Sequence, residues 1–145
     1  MTQITITIPN LDAVQKAITE YGVRAEEEIS RALNATGTSI VNGVRKQMRS
    51  SKSGKRYKSG KSGVHIASAP YEAPAVDSGT LINRSIYEEK ISNLHFVVGS
   101  NIQYSSFLEF GTRKMKPRPS WTLEVFAHRE ILGKFVEAAI KKAAK

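Results

Sequence analysis

A chain of 145 residues, 40% apolar and 24% charged, can bury one core of ordinary size and is neither disordered nor fibrous in composition. It has no run of about 18 apolar residues, which excludes a transmembrane helix, and no cysteine, which excludes disulfide frameworks, thiolate metal sites and cysteine nucleophiles. The net charge of +9 is unevenly placed: no Asp or Glu lies between Ile29 and Tyr71, a span holding Arg31, Arg45, Lys46, Arg49, Lys52, Lys55, Arg56, Lys58 and Lys61, and such asymmetry bears on partners rather than on fold.

The N-terminus has no basic start and no apolar block, so it does not read as a signal peptide. The chain is expected in a cytosol or in something assembled there. Residues 3–8 alternate Ile and Thr up to Pro9, the period of a short amphipathic strand. Asn10 or Asp12 can cap a first helix, in which Leu11, Val14, Ala17, Ile18 and Tyr21 recur at helical spacing. Gly22 is expected to break or bend it. A longer apolar stripe follows over 23–49, formed by Ala25, Ile29, Ala32, Leu33, Thr36, Ile40, Val44 and Met48. Gly37 and Gly43 interrupt its composition but not its period, and they would permit close approach of a neighbouring segment.

Residues 50–63 are Ser, Gly and Lys with one aromatic, the composition of a flexible basic loop. Val64, Ile66 and Ala67 can start a strand, and Pro70 and Pro74 hold the next stretch extended. Asp77 or Ser78 is expected to cap a helical turn bearing Leu81 and Ile82. Residues 85–91 and 94–99 read as two strands joined at Ser92-Asn93. Tyr104, Phe107, Leu108 and Phe110 form an aromatic-rich group ended by Gly111-Thr112. A last helix is expected over 120–143 with Ser120 as its cap and Leu123, Phe126, Ala127, Ile131, Phe135, Val136 and Ala139 or Ile140 as its buried face. The order predicts a single α+β domain over 1–145, with long N-terminal helices and a C-terminal helix packed on a small antiparallel sheet.

Residues able to do chemistry do not converge in the sequence. His65, His95 and His128 are isolated and show no metal-ligand spacing, and no metal or cofactor is expected. Glu88 and Glu89 alternate across a strand and cannot form a dyad. Asp77, Ser78 and His65 are the residue types of a hydrolytic triad, but they lack the strand–turn–helix elbow that exposes a nucleophile. The glycines of SGKRYKSGKSG are one residue too far apart for a phosphate-binding loop.

The stretch YSSFLEFGTRKMKPRPSW, residues 104–121, joins Leu108, Glu109, Phe110, Gly111 and Thr112 to Pro117, Arg118 and Pro119. Upstream, APYEAPAVDSGTLINRSI, residues 69–86, contains Gly79 and Leu81 in a Gly-x-Leu pattern. Together they resemble the signature of the gene-product-ten-like tail-component family of tailed bacteriophages, over about residues 23–140. The family's usual aromatic and Leu after the second proline are replaced here by Ser120-Trp121.

The resemblance implies a non-enzymatic virion protein of the neck or tail, active in tail completion or head–tail connection. It implies a homo-oligomeric ring and docking to a connector, tail terminator or tail tube, with assembly in the host bacterial cytoplasm and no membrane step. In physical terms, Gly111 can take positive φ and turn the chain, and Glu109 can accept from turn amides or from Arg113 or Arg118. A second expectation is nucleic-acid contact through the 45–61 surface, where Arg45, Lys46, Arg49, Lys52, Lys55, Arg56, Lys58 and Lys61 would neutralise phosphates. Those cations would equally serve contact with a neighbouring subunit. A nuclease is the least favoured reading, because no acid cluster is present.

Overall fold

The computed structural model describes residues 11–59 and 63–145. The expected strand over 3–8, the Asn10 cap and Lys61 lie outside the described residues. Along the chain run α1 (Leu11–Arg49), β1 (Arg56–Ser59), β2 (Gly63–Ile66), α2 (Thr80–Arg84), β3 (Ile86–Ser92), β4 (His95–Ser100), α3 (Tyr104–Phe110) and α4 (Trp121–Ala143). The described residues form an α+β fold built around one long helix.

α1 runs unbroken for 39 residues, about 58 Å at the helical rise. The expected break at Gly22 does not occur. A Cβ at this position would meet nothing within 4 Å, so glycine costs only its backbone entropy, about 1 kcal/mol. Gly22→Ala is therefore expected to slow amide exchange over residues 12–25 roughly fivefold. Unchanged exchange there would show that the first turns are held by something other than their own helicity.

The apolar stripe of α1 behaves as expected from Ala25 onward, and Thr36, Val44 and Met48 are buried. The first helical stripe does not. Val14 and Ile18 are exposed, at 48% and 65%, because no described element reaches that far along α1.

α4 lies antiparallel on α1. Gln47 Nε2 donates to Glu124 Oε1 at 2.5 Å, His128 Nε2 lies 2.9 Å from Ser39 Oγ, and Lys142 Nζ donates to Glu28 Oε2 at 3.0 Å. The helices approach closely because α1 offers little side chain at the crossing. The Glu124 carboxylate occupies the space a Cβ would fill at Gly43. The side of α4 turned to α1 carries His128, Leu132, Val136, Ala139 and Ala143, and the two alanines are buried. Of the face expected to be buried, Val136 and Ala139 do turn to α1, but Leu123, Phe126, Ile131 and Phe135 are all 40% exposed or more.

β3 and β4 form an antiparallel hairpin with Ile86 opposite Ser100 and Lys90 opposite Phe96, and a register shift between Lys90 and Ser92. Its turn is Asn93-Leu94, one residue later than expected. The hairpin lies along α1. The Phe96 ring fills the place of a Gly37 side chain, Thr38 donates to Glu88 at 3.1 Å, and Asn93 Nδ2 donates to Glu26 at 2.8 Å. The C-terminal helix and this sheet thus share α1 as their support, and α4 rests mainly on α1 rather than on the sheet.

Within the expected basic loop, residues 56–59 pair with 63–66 as a second antiparallel hairpin, β1–β2. Tyr57 and His65 face each other across it with ring centroids 5.0 Å apart. The main core cluster is Val44, Met48 and Ile82, with Leu81, Ile86 and Trp121 packed against it.

Candidate functional site

The two family-like segments converge on that core. Gly79 sits at φ 80° and starts α2, and Asn83 N donates to its carbonyl at 2.9 Å. Leu81 and Trp121 then pack on the same Val44–Met48–Ile82 group. The segments also meet directly, since Tyr71 N donates to Pro117 O at 2.8 Å.

The aromatic-rich group is a helix, α3. It ends where Gly111 takes φ 78° and ψ −176°, its N–H donating to Phe107 O at 2.9 Å. Thr112 and Met115 then close a tight loop: Thr112 N donates to Met115 O at 2.8 Å, and Thr112 Oγ1 accepts from Met115 N at 3.1 Å. Arg118 N donates back to Leu108 O at 2.6 Å, folding the Pro117-Arg118-Pro119 strap against α3.

Glu109 is the pivot of this junction. Its residue is 8% exposed. The carboxylate accepts from Ser120 N at 2.9 Å, Trp121 N at 3.2 Å and Thr122 N at 2.7 Å. These are amides of the α4 N-terminus, which lack partners within the helix and carry its positive dipole end. The expected cap, Ser120, holds the N-cap position but makes no side-chain cap bond; Glu109 supplies the cap from another helix. Burial pushes the Glu109 carboxyl up, but the Thr122 hydroxyl and the Ser120, Thr122 and Trp121 amides outweigh it and hold it below the ordinary glutamate value. Among the described residues neither Arg113 nor Arg118 pairs with it, and Arg118 Nε is buried without a hydrogen-bond partner.

The basic candidates divide. Lys46 and Arg49 are exposed on the last turns of α1, with Arg45 half-buried beside them. Lys55, Arg56 and Lys58 are exposed on the β1 side of the hairpin. Lys52 is tied down: its Nζ donates to Gln47 O at 2.7 Å, and desolvation pulls its pKa down although Glu72 opposes this. Glu72 also accepts from Ser53 N at 3.2 Å and Ala69 N at 2.7 Å, fastening the hairpin to the 69–74 segment.

The hydrolytic-triad residue types meet only in part. His65 Nδ1 lies 3.8 Å from Asp77 Oδ1, but Ser78 Oγ engages Thr80 Oγ1 at 3.0 Å. Among the described residues no group of three or more His, Asp or Glu could hold a metal ion. No helix there is long and apolar enough to cross a membrane. Sequence reasoning missed the polar seam of Gln47, Glu124, His128 and Ser39. Its one sequence signal is the i, i+4 spacing of Glu124 and His128 on a helix.

Residues 12–111 match the family described as "Bacteriophage HK97-gp10, putative tail-component". The chain belongs to this HK97-gp10-like family. The matched span covers α1 through the turn at Gly111, and so includes Gly79, Leu81 and Leu108–Gly111. Pro117-Arg118-Pro119 and α4 lie beyond it. Membership places the protein among bacteriophage tail components. No curated protein and no solved structure matches the chain significantly.

Proposed function

We propose that this HK97-gp10-like protein is a non-enzymatic assembly subunit at the phage head–tail junction or tail end, acting in a ring that docks on a connector, tail terminator or tail tube. The observation that carries the reading is the family match across 12–111. The outward-facing Phe126, Ile131 and Phe135 of α4 support it, because a helix that turns its large apolar side chains to solvent is built to be covered. The test is electron microscopy of particles made without the protein. Tails of abnormal end structure, or heads and tails that fail to join, are expected. Normal joined particles would sink the reading.

A second reading, contact with DNA, is favoured by the acid-free span around Arg45, Lys46, Arg49, Lys55, Arg56 and Lys58. Titration of duplex DNA at rising salt should give a steep log–log slope. Arg45→Ala, Lys46→Ala and Arg49→Ala together should flatten that slope by about 3, since each phosphate contact contributes about 0.9. Binding absent at low salt, or insensitive to salt, removes this reading.

A further inference from the structure

We infer that the β1–β2 hairpin is an arm that grips duplex DNA together with the end of α1, and that Glu72 is the positioning residue that holds this arm. The inference rests on the DNA reading and names its surface and its support.

The hairpin is exposed yet fixed. On β1, Arg56 and Lys58 alternate onto one face, opposite Ile66 and Val64 of β2, and all four are exposed. A two-stranded hairpin left to itself is marginal in water, so something else must hold it. Gly54 N donates to Ala67 O at 2.9 Å and Ala67 N to Lys55 O at 3.0 Å, carrying the ladder to the base of the hairpin. There the Glu72 carboxylate accepts from Ser53 N at 3.2 Å and from Ala69 N at 2.7 Å. Ser53 precedes β1 and Ala69 follows β2, so one carboxylate ties both legs. The Ala69 and Ser53 amides hold the Glu72 carboxyl below its ordinary value, which keeps the tie charged.

The arm stands beside the end of α1. A cleft of about 300 Å³ is lined by Arg49 of α1 and by His65 and Ile66 of β2. Arg49 also lines a neighbouring hollow with Arg45 and Lys46. The basic surface is thus continuous from α1 through Arg49 to the hairpin. Among the described residues none of Arg45, Lys46, Arg49, Lys55, Arg56 and Lys58 is in a salt bridge. Of the nearby carboxylates, Glu72 is engaged by the two amides and Asp77 lies 3.8 Å from His65 Nδ1.

The helix dipole accounts for cations at the end of α1, but a strand has no such end charge, so Arg56 and Lys58 answer to a partner. The mix of Lys and Arg favours DNA over an acidic protein. Protein interfaces are depleted in Lys, whereas phosphates are contacted by Lys and Arg alike. The major groove of a duplex also admits a two-stranded ribbon.

Fluorescence anisotropy of a labelled duplex over a range of salt tests the arm. Arg56→Gln with Lys58→Gln should flatten the log–log salt slope by about 2, since each phosphate contact contributes about 0.9. Arg113→Gln with Lys114→Gln, an equal loss of exposed charge elsewhere, should leave the slope unchanged. Glu72→Gln removes a negative charge, so charge alone predicts tighter binding; a released arm predicts weaker binding and a slope flatter by about 2. Adding Glu72→Gln to the Arg56→Gln, Lys58→Gln pair should flatten the slope no further, a result that a general loss of stability would not give. Equal flattening by the two charge pairs would overturn the arm and leave the DNA reading standing. Tighter binding by Glu72→Gln would overturn the anchoring by Glu72. A wild-type chain that does not bind duplex at low salt, the outcome expected of a surface made for an acidic protein, would remove the DNA reading and the arm together.

Discussion

Glu109→Gln is expected to destabilise the protein by about 2 kcal/mol and Glu109→Ala by about 3 kcal/mol, the scale of hydrogen bonds to a charged acceptor whose donors are left partly buried. For a domain of this size that lowers the melting temperature by roughly 5–10 °C. Glutamine keeps one oxygen for the α4 amides but turns an NH₂ toward the others and removes the charge that complements the helix dipole. The effect should depend on pH in one direction. The folded carboxyl titrates below the ordinary value of 4.5. Its contribution is therefore complete above that value and is lost as pH falls from there through the folded pKa. Urea unfolding at pH 7 and pH 3 should show a wide gap between wild type and Glu109→Gln at pH 7, and a narrower one at pH 3. A gap of equal size at both would show that the carboxylate acts through shape and not through charge.

How far the fold could be read from sequence follows what each element buries. The α1 stripe from Ala25 to Met48 was legible because one side of that helix packs along its length, so the 3.6-residue period is written in it. The same period at Val14 and Ile18 was misleading about burial, since it records a face and not what covers it. In α4 the error came from size. Leu123, Phe126, Ile131 and Phe135 are the larger apolar residues, but close crossing with α1 favours small ones, so of that face Ala139 is buried, together with Ala143, which was not expected. β1 falls in the expected loop, although Val64 and Ile66 do mark the β2 strand, because Arg56, Tyr57, Lys58, Gly63, Val64 and Ile66 of the hairpin are all exposed. A strand with no buried face has no reason to alternate. The family-like motif was legible residue by residue, but Glu109's partners were not. Its three acceptor contacts lie eleven to thirteen residues ahead, beyond the reach of any local capping pattern.

Gly111→Ala should cost more than an ordinary glycine substitution, about 3 kcal/mol, and should disturb the junction as a unit. Two independent penalties act there. The backbone at φ 78° and ψ −176° is open essentially to glycine alone. A Cβ would also stand 2.7 Å from Met115 O and 2.9 Å from Pro117 N. Both are backbone atoms of the strap and cannot rotate away. Relief requires moving the strap, which carries the Arg118 N to Leu108 O bond and the Tyr71 N to Pro117 O bond. The shift would also loosen the Glu109 cap, because the strap leads directly into Ser120. The two lesions should therefore be less than additive: the double variant Gly111→Ala with Glu109→Gln should lose less stability than the sum of the single losses. Equilibrium unfolding of the four proteins in that cycle measures the coupling. Strict additivity would mean that the turn at Gly111 and the cap on α4 are separate supports, and that the strap does not transmit strain between them.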